Sequence, residues 1–258
     1  MQKSLRLFAA IIVSGIGASV AHAGPILYVS DSGGRLGTVD VATGATVVLG
    51  NMGVAMTDIA FDASGHLFGT DFDNLYSINP TTAAITLIGS MGVTDANALV
   101  FGSDGTLYEA GNSGNGLRSV NTATGATTVL GSIGFSSGGD LAFNGGNLYL
   151  ATSTQLVRVG LSPVSGTLVG SFGFSNVFGL ATGDDGVLYG ISGHDVFSVD
   201  TTTGAGTYKS TYNAGLLSDA YGSSFFKEAT APVPEPTTLG LLGLGLAGSR
   251  LLRNRKRS

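Results

Sequence analysis

The feature that most constrains this chain is a short motif that recurs about every 40 residues. Each copy pairs a leucine with an aromatic residue, beginning with Leu27-Tyr28 and Leu67-Phe68. The leucines stand at positions 27, 67, 107, 148 and 188, so the steps are 40, 40, 41 and 40 residues. A fixed period of this size indicates an array of modules, each burying its apolar face against the next.

Aligning the repeats on this motif shows four short β-like segments in each. Turn pairs such as Thr43-Gly44 and Ser165-Gly166 predict where the chain reverses, and a second glycine column that begins at Gly50 closes the first four repeats. Glycine accounts for 42 of the 258 residues and charged residues for only 11%. This balance suits tight turns between strands, so we expect helices only at the two ends.

Four strands in 40 residues leave no room for crossover helices and match one blade of a β-propeller. The chain starts on a Leu-aromatic strand at Ile26, and the segment Asp219 to Tyr221 would precede such a strand. The last strand can therefore complete the first blade and remove the exposed edges. We predict an all-β, five-bladed β-propeller over residues 24–226. A β-solenoid or a sandwich is the alternative, because periodicity defines the repeat better than the topology.

The repeats resemble those of exported bacterial β-propellers, and the first 23 residues agree with export. Lys3 and Arg6 precede an apolar stretch, and Ala23 ends a small-residue cleavage site, so the pattern predicts a signal peptide over 1–23 and a mature start at Gly24. An uncleaved anchor helix is the alternative.

The C-terminal end changes character after a linker predicted at 227–232. Pro234, Glu235 and Pro236 are followed by 13 apolar and small residues from Thr237 to Ser249 and then by a basic tip. Residues 233–258 thereby resemble the PEP-CTERM sorting signal of Gram-negative bacteria. The resemblance implies recognition by an exosortase-type enzyme, a short hydrophobic transmembrane helix, transient inner-membrane anchoring and then delivery to the cell surface or the extracellular matrix. The apolar run is short for a permanent anchor, which usually needs about 20 residues.

The charge distribution limits the partners. All 17 acidic residues lie between Asp31 and Glu235, a stretch with only five basic residues. Such a surface repels phosphate backbones, so we expect no nucleic-acid partner. The chain has no cysteine, which excludes disulfides and thiolate chemistry. No cofactor is predicted.

Three aspartates are the candidate site residues. Asp58, Asp140 and Asp219 occupy segments that line the central channel of a propeller, where carboxylates from different blades could meet on a cation or a sugar. Recurrence within a repeat also fits a structural role, in which a carboxylate accepts hydrogen bonds from nearby backbone N–H groups. Whether a metal binds is left open. Loop residues including Asn97, Asn112, Asn115 and His194 are expected on one polar face.

Two functions follow as hypotheses. The first is an exported, non-enzymatic propeller that serves as a structural or binding module, with an extracellular polysaccharide or another surface component as its partner. The second is a secreted glycosidase-like hydrolase, which would use two of the channel carboxylates on either side of a glycosidic bond. Convergence of Asp58 with Asp140 or Asp219 in an open pocket would favour the hydrolase.

Overall fold

The computed structural model describes residues 24–226 and 228–230. The predicted signal peptide, most of the predicted linker and the predicted sorting signal lie outside the described residues. Within the described residues, twenty strands form five antiparallel sheets of four strands each. The strands of blade 1 are β1 (Ile26–Asp31), β2 (Arg35–Asp40), β3 (Thr46–Asn51) and β20 (Ala220–Phe225); those of blade 2 are β4 (Asp58–Phe61), β5 (Leu67–Thr70), β6 (Asn74–Ile78) and β7 (Ile85–Ser90).

The other three blades follow in chain order. Blade 3 contains β8 (Ala96–Phe101), β9 (Leu107–Gly111), β10 (Gly116–Val120) and β11 (Thr127–Ser132); blade 4 contains β12 (Asp140–Asn144), β13 (Asn147–Ala151), β14 (Gln155–Leu161) and β15 (Val164–Ser171); blade 5 contains β16 (Val177–Thr182), β17 (Leu188–Ser192), β18 (Asp195–Val199) and β19 (Gly206–Thr211). The innermost strands β20, β4, β8, β12 and β16 contact one another in turn around the ring.

The ring is closed by the two ends of the chain. Strand β20 pairs antiparallel with β1, so the last strand completes the first blade as predicted. The structure confirms the all-β, five-bladed propeller and excludes a solenoid or a sandwich.

The register of the closing strand differs from the prediction. Phe225 lies opposite Leu27 and Gly222 lies opposite Ser30. In blade 2 the matching pairs place Asp58 opposite Thr70, so Gly222 is the equivalent of Asp58. The assignment of Asp219 to this column is wrong by three residues. The closing strand has glycine, not aspartate, at the position equivalent to Asp58. Asp219 precedes an apolar residue, as Asp58 does, and was therefore matched to that position when the repeats were compared.

The core consists of five clusters, each between two neighbouring blades. Between blades 1 and 2, Leu36, Met56 and Ile59 are completely buried. The repeats therefore stack face to face, as the period predicts. Burying one such side chain contributes about 1.5–3 kcal/mol, and these contacts hold the blades together without disulfides.

The glycine columns mark close contacts between blades. A Cβ added at Gly89, on the outer strand of blade 2, would lie 2.3 Å from the carbonyl oxygen of Thr124 in a turn of blade 3. Only glycine permits this approach. In blade 4 the chain reverses at residues 162–163 and not at Ser165-Gly166, because β14 and β15 extend further and pair Val159 with Gly166.

The folded body extends beyond the predicted boundary at residue 226. Glu228–Thr230 form a single 3₁₀ turn, in which Glu228 is 6% exposed and Ala229 is 7% exposed. Ala229 packs in the cluster between blades 2 and 3. These residues, assigned to the linker from the sequence, belong to the propeller. Among the described residues no helix is both long and apolar enough to cross a membrane, and the predicted hydrophobic helix lies outside them.

Candidate functional site: a pocket at the mouth of the channel

A pocket of about 250 Å³ lies at one mouth of the central channel, where the innermost strands begin. We call it the mouth pocket. All eight residues that line it are uncharged: Thr57, Phe72, Asn97, Asn112, Gly138, Gly139, Phe178 and Tyr221.

Every blade contributes one residue to this pocket at an equivalent position, one step before the Asp58 column. These residues are Thr57, Asn97, Gly139, Phe178 and Tyr221. In blade 3, Ala96 lies opposite Gly111 and Ala98 lies opposite Ala110, which leaves Asn97 as an extra, bulged residue. Register shifts make Phe178 and Tyr221 extra residues in the same way. A β-bulge redirects a side chain, and here it turns the side chain toward the channel mouth.

Three aromatic rings shape the pocket. Phe178 and Tyr221 are half-buried and meet edge to face, with ring centroids 6.3 Å apart and an interplanar angle of 83°. Gly139 allows this placement, because a Cβ at that position would lie 2.7 Å from the Cα of Phe178. Phe72, which is 38% exposed, provides the third ring. The wall is thus mostly apolar, as in small-molecule sites.

Phe72 has an unusual backbone conformation. Its φ is +87°, which costs a bulky residue about 1–3 kcal/mol. The flanking turn holds this conformation, since Asp71 accepts hydrogen bonds from Asn74 N (2.9 Å) and from the Tyr76 hydroxyl (2.7 Å). Ala96 N also donates to the Phe72 carbonyl at 3.1 Å. Strain that the surrounding structure maintains in this way is characteristic of functional sites.

The ionisation of Asp71 contributes to this clamp. Burial opposes the charged form, but hydrogen bonds from Tyr76, Asn74 and Asp73 outweigh it and lower the pKa of Asp71. The same neighbourhood acts on Tyr76, where burial together with the Asp71 carboxylate raises the pKa to about 12. The Tyr76 hydroxyl therefore stays a donor to an ionised Asp71 near neutral pH.

Asn97 has unused hydrogen-bonding capacity at the pocket wall. The residue is only 6% exposed, and its Oδ1 has no hydrogen-bond partner in the part of the chain that the structure describes. Leaving a buried acceptor unpaired costs about 1–3 kcal/mol. Because Oδ1 is itself buried, a ligand in the pocket would satisfy it only after the terminal torsion of Asn97 turns the amide.

Arg118, Glu109 and Asp95 form a cluster of charged side chains beside the part of the mouth pocket that contains Asn97. Arg118 lies across from Glu109 on the neighbouring strand and donates to its carboxylate at 2.8 Å. Arg118 also lies 3.2 Å from Asp95, whose carboxylate accepts a hydrogen bond from Ser113 at 3.0 Å. Asp95 and Ser113 thereby fix the loop that carries Asn112. Glu109 is fully buried and engaged by Arg118.

Two of the three predicted channel carboxylates meet on the ring axis, one residue deeper than the mouth pocket. Asp58 and Asp140 are both 0% exposed, and their carboxyl groups lie close enough to interact. Two buried carboxyl groups this close favour a shared proton, and burial raises the pKa of both groups well above the usual range.

The remaining oxygens of this pair join the blades. Asp58 accepts hydrogen bonds from its neighbour Ile59 N at 2.7 Å and from Leu99 N of blade 3 at 2.5 Å. Asp140 repeats the pattern with Leu141 N at 2.7 Å and with Leu180 N of blade 5 at 2.6 Å. The predicted hydrogen bonding to nearby backbone N–H groups is therefore present at both positions.

A third carboxyl group, which sequence reasoning missed, lies at the far end of the channel. Glu228 accepts hydrogen bonds from Thr182 N at 3.1 Å and from the Ser224 hydroxyl at 2.9 Å. Burial raises the pKa of Glu228 to about 8. The residue follows the last repeat, so no periodic signal pointed to it.

Asp219 lies outside the channel. Its side chain is 63% exposed, and its carboxylate is 3.3 Å from His194 Nδ1. Among residues 24–226 and 228–230, no group of three or more His, Cys, Asp and Glu side chains is placed to hold a metal ion. Asn97 and Asn112 do share the mouth pocket, whereas Asn115 and His194 are not among its lining residues.

Residues 232–256 match the family model of the PEP-CTERM protein-sorting motif. The chain carries a PEP-CTERM sorting signal. This motif implies export by membrane sorting and processing by an exosortase-type system. The matched residues include Pro234, Glu235 and Pro236, the three that were singled out in the sequence.

Among solved structures, one with a TM-score above 0.5 supports the fold of the body that precedes this sorting signal. A chain of the crystal structure of a nidogen/laminin complex matches with a TM-score of 0.59 and 11% identity, covering 81% of this chain and 99% of its own. A symmetrical protein from a study of de novo evolutionary emergence matches with a TM-score of 0.48 and 18% identity, covering 79% of this chain and 95% of its own. No curated protein matches the sequence. At these identities the first likeness shows the propeller fold alone.

Proposed function

We propose that this exported propeller is a binding module of the cell surface or extracellular matrix, and that its ligand enters the mouth pocket. The observation that carries the proposal is the composition of that pocket. Five blades converge on an uncharged, mostly apolar wall that includes the side chain of Asn97, whose buried Oδ1 has no hydrogen-bond partner among the described residues. Pockets of this kind combine apolar area with a few polar groups that orient a ligand.

The placement of the chain ends supports this role. Glu228 and Ala229 lie with Phe101 and Phe143 around a smaller cavity, at the ends of the innermost strands opposite the mouth pocket. Leu27 pairs with Phe225, so the N-terminus begins on that same side. A membrane-anchored chain would therefore present its mouth pocket away from the membrane.

The export route in this proposal uses both terminal segments. Signal cleavage after Ala23 leaves Gly24 at the mature N-terminus, and the basic tip keeps the tail in the inner membrane until processing. The exosortase-type enzyme then acts at Pro234, Glu235 and Pro236. The propeller is complete by Ala229, so processing leaves the binding face intact.

The residues of the mouth pocket and its predicted exposure outside the cell favour an extracellular polysaccharide as the ligand. Aromatic rings pack well on apolar faces, and amides exchange hydrogen bonds with hydroxyl groups. The acidic body disfavours anionic partners. No observation favours the hydrolase, because Asp58 and Asp140 are fully buried and hold backbone N–H groups rather than facing an open pocket.

The experiment is co-sedimentation of the exported protein, purified as cells release it, with polysaccharide isolated from the matrix of the same cells. We expect binding that falls at least tenfold in Phe178→Ala and stays unchanged in Tyr208→Ala, an exposed aromatic residue on the outer strand β19. Equal binding by both variants, or absence of binding by the wild type, would contradict the proposal.

A further inference from the structure

We infer that the mouth pocket is a blind site for the terminal, uncharged sugar residue of a polysaccharide chain or side branch. This inference rests on the proposed binding function and specifies which part of the ligand is recognised. It depends on three properties of the pocket: it is closed below, its wall is uncharged, and its volume suits a single ring.

The channel is closed directly beneath the pocket. A Cβ added at Gly222 would lie 2.4 Å from the Cα of Asp58, so the innermost strands of blades 1 and 2 touch at this level. The Asp58 and Asp140 carboxyl groups meet on the axis, and the Ser223 hydroxyl donates to Asp140 at 3.3 Å. A polysaccharide cannot pass through this level. Only a chain end or a side branch can enter.

The chemistry of the wall selects an uncharged, hydroxyl-bearing ring. Phe72, Phe178 and Tyr221 offer aromatic surface to the C–H face of a pyranose. Asn97 places an amide at the wall; its Oδ1 is buried and has no partner within the described part of the chain, and rotation about the terminal torsion would bring that oxygen to face a ligand hydroxyl. All the lining residues are uncharged, so a uronate carboxylate would lose its hydration without gaining a cation.

The volume limits the ligand to about one ring. The pocket measures about 250 Å³, which lies below the range of roughly 300–1,000 Å³ typical of drug-sized ligands. The loops that carry Phe72 and Asn112 are held in place without ligand. Ala96 N donates to the Phe72 carbonyl at 3.1 Å, and Asn112 N donates to the Asp95 carbonyl at 3.0 Å. Pre-ordering reduces the entropy lost on binding.

The first test uses Asn97→Leu in the exported protein. An apolar side chain of similar size removes the unpartnered acceptor, so we expect the urea midpoint to be unchanged or higher while the affinity for the matrix polysaccharide falls at least tenfold. Asn147→Leu, an exposed position on β13 outside the pocket, is the control for binding. A destabilised Asn97→Leu protein, or one that binds as the wild type does, would overturn the role of Asn97.

The second test counts chain ends. The matrix polysaccharide is partly hydrolysed until the reducing ends per unit mass rise about tenfold, and both preparations compete with immobilised intact polysaccharide for the exported protein. Recognition of ends predicts a roughly tenfold gain in potency per unit mass. When free monosaccharides are tested in the same competition, at least one neutral sugar should displace the protein from the immobilised polysaccharide at millimolar concentration. Glucuronate and galacturonate should not displace it.

The outcomes separate this inference from the proposed function. Binding that depends on Phe178 but gains nothing from fragmentation would overturn end recognition and leave the binding module standing. Competition by uronates would overturn the selection of an uncharged residue. If the Phe178→Ala variant bound intact and fragmented polysaccharide as well as the wild type did, or if the wild type bound neither, both proposals would be overturned.

Discussion

Asp58 of blade 2 and Asp140 of blade 4 bring their carboxyl groups together at the centre of the ring, and each accepts a hydrogen bond from a backbone N–H of the next blade. With the Ser223 hydroxyl of β20, which donates to Asp140 at 3.3 Å, the pair links all five innermost strands. Because both groups are completely buried, they favour a shared proton over two charges. The centre of the ring is therefore a hydrogen-bonded closure beneath the mouth pocket.

The stability of the body should decrease as the pH rises from about 4.5 to about 8. The folded state raises the pKa of Glu228 from 4.5 to about 8, so in this window the folded chain holds a proton that the unfolded chain has lost. Each such proton lowers the unfolding free energy by up to about 1.4 kcal/mol per pH unit. Asp58 and Asp140 act in the same direction. Urea titrations of the wild type and Glu228→Gln should show a smaller slope in the variant; stability that rises with pH would contradict this account.

Asp58→Asn should destabilise the body by about 1–3 kcal/mol, because Asp58 accepts two backbone hydrogen bonds on different oxygens and an amide can accept on only one. Asp219→Asn is the matched control. Its side chain is 63% exposed, so the change should stay within about 0.5 kcal/mol. Chemical denaturation of the two variants tests the distinction, and equal effects would count against the closure at the axis.

Phe72→Gly should separate stability from binding. Glycine adopts a φ of +87° without strain, and this relief of about 1–3 kcal/mol offsets the lost ring contacts and the backbone entropy of glycine, so the unfolding temperature should stay close to that of the wild type. Binding to matrix polysaccharide should fall, because the third aromatic ring is lost. Thermal unfolding and co-sedimentation measure the two effects. A less stable variant with intact binding would show that Phe72 serves packing rather than recognition.

Arg118→Leu should destabilise the body by about 3–5 kcal/mol, because it leaves the buried Glu109 without its cation. The double variant Glu109→Leu with Arg118→Leu removes both charges and should recover most of that loss. Urea midpoints of the single and double variants give the comparison. Additive losses would indicate that the two side chains do not form one buried unit.

The sequence predicted the fold because its information is periodic. The Leu-aromatic motif and the glycine columns repeat with the blades, and Gly89 shows why: its column faces a carbonyl of the next blade at a distance that no side chain allows. The closing strand was harder to place. Gly222 lies where two other blades have aspartate, so the fifth repeat lacks the residue type that identifies this position. The nearby Asp219 was matched to the position instead.

The mouth pocket could not be predicted in the same way. Its five equivalent positions hold Thr57, Asn97, Gly139, Phe178 and Tyr221, five different residue types that give no repeat signal. The bulges at Asn97, Phe178 and Tyr221 each add one residue to a strand without changing its composition. Polarity alone indicated Asn97 and Asn112, whereas the aromatic residues resembled ordinary strand residues.

A crystal structure of the exported protein soaked with oligosaccharides from its own matrix polysaccharide would test the account most directly. We expect one uncharged sugar ring packed against Phe178 and Tyr221, with a hydroxyl donating to the Asn97 amide and the rest of the chain leading out of the mouth pocket. An empty mouth pocket beside sugar bound elsewhere on the propeller would contradict the account.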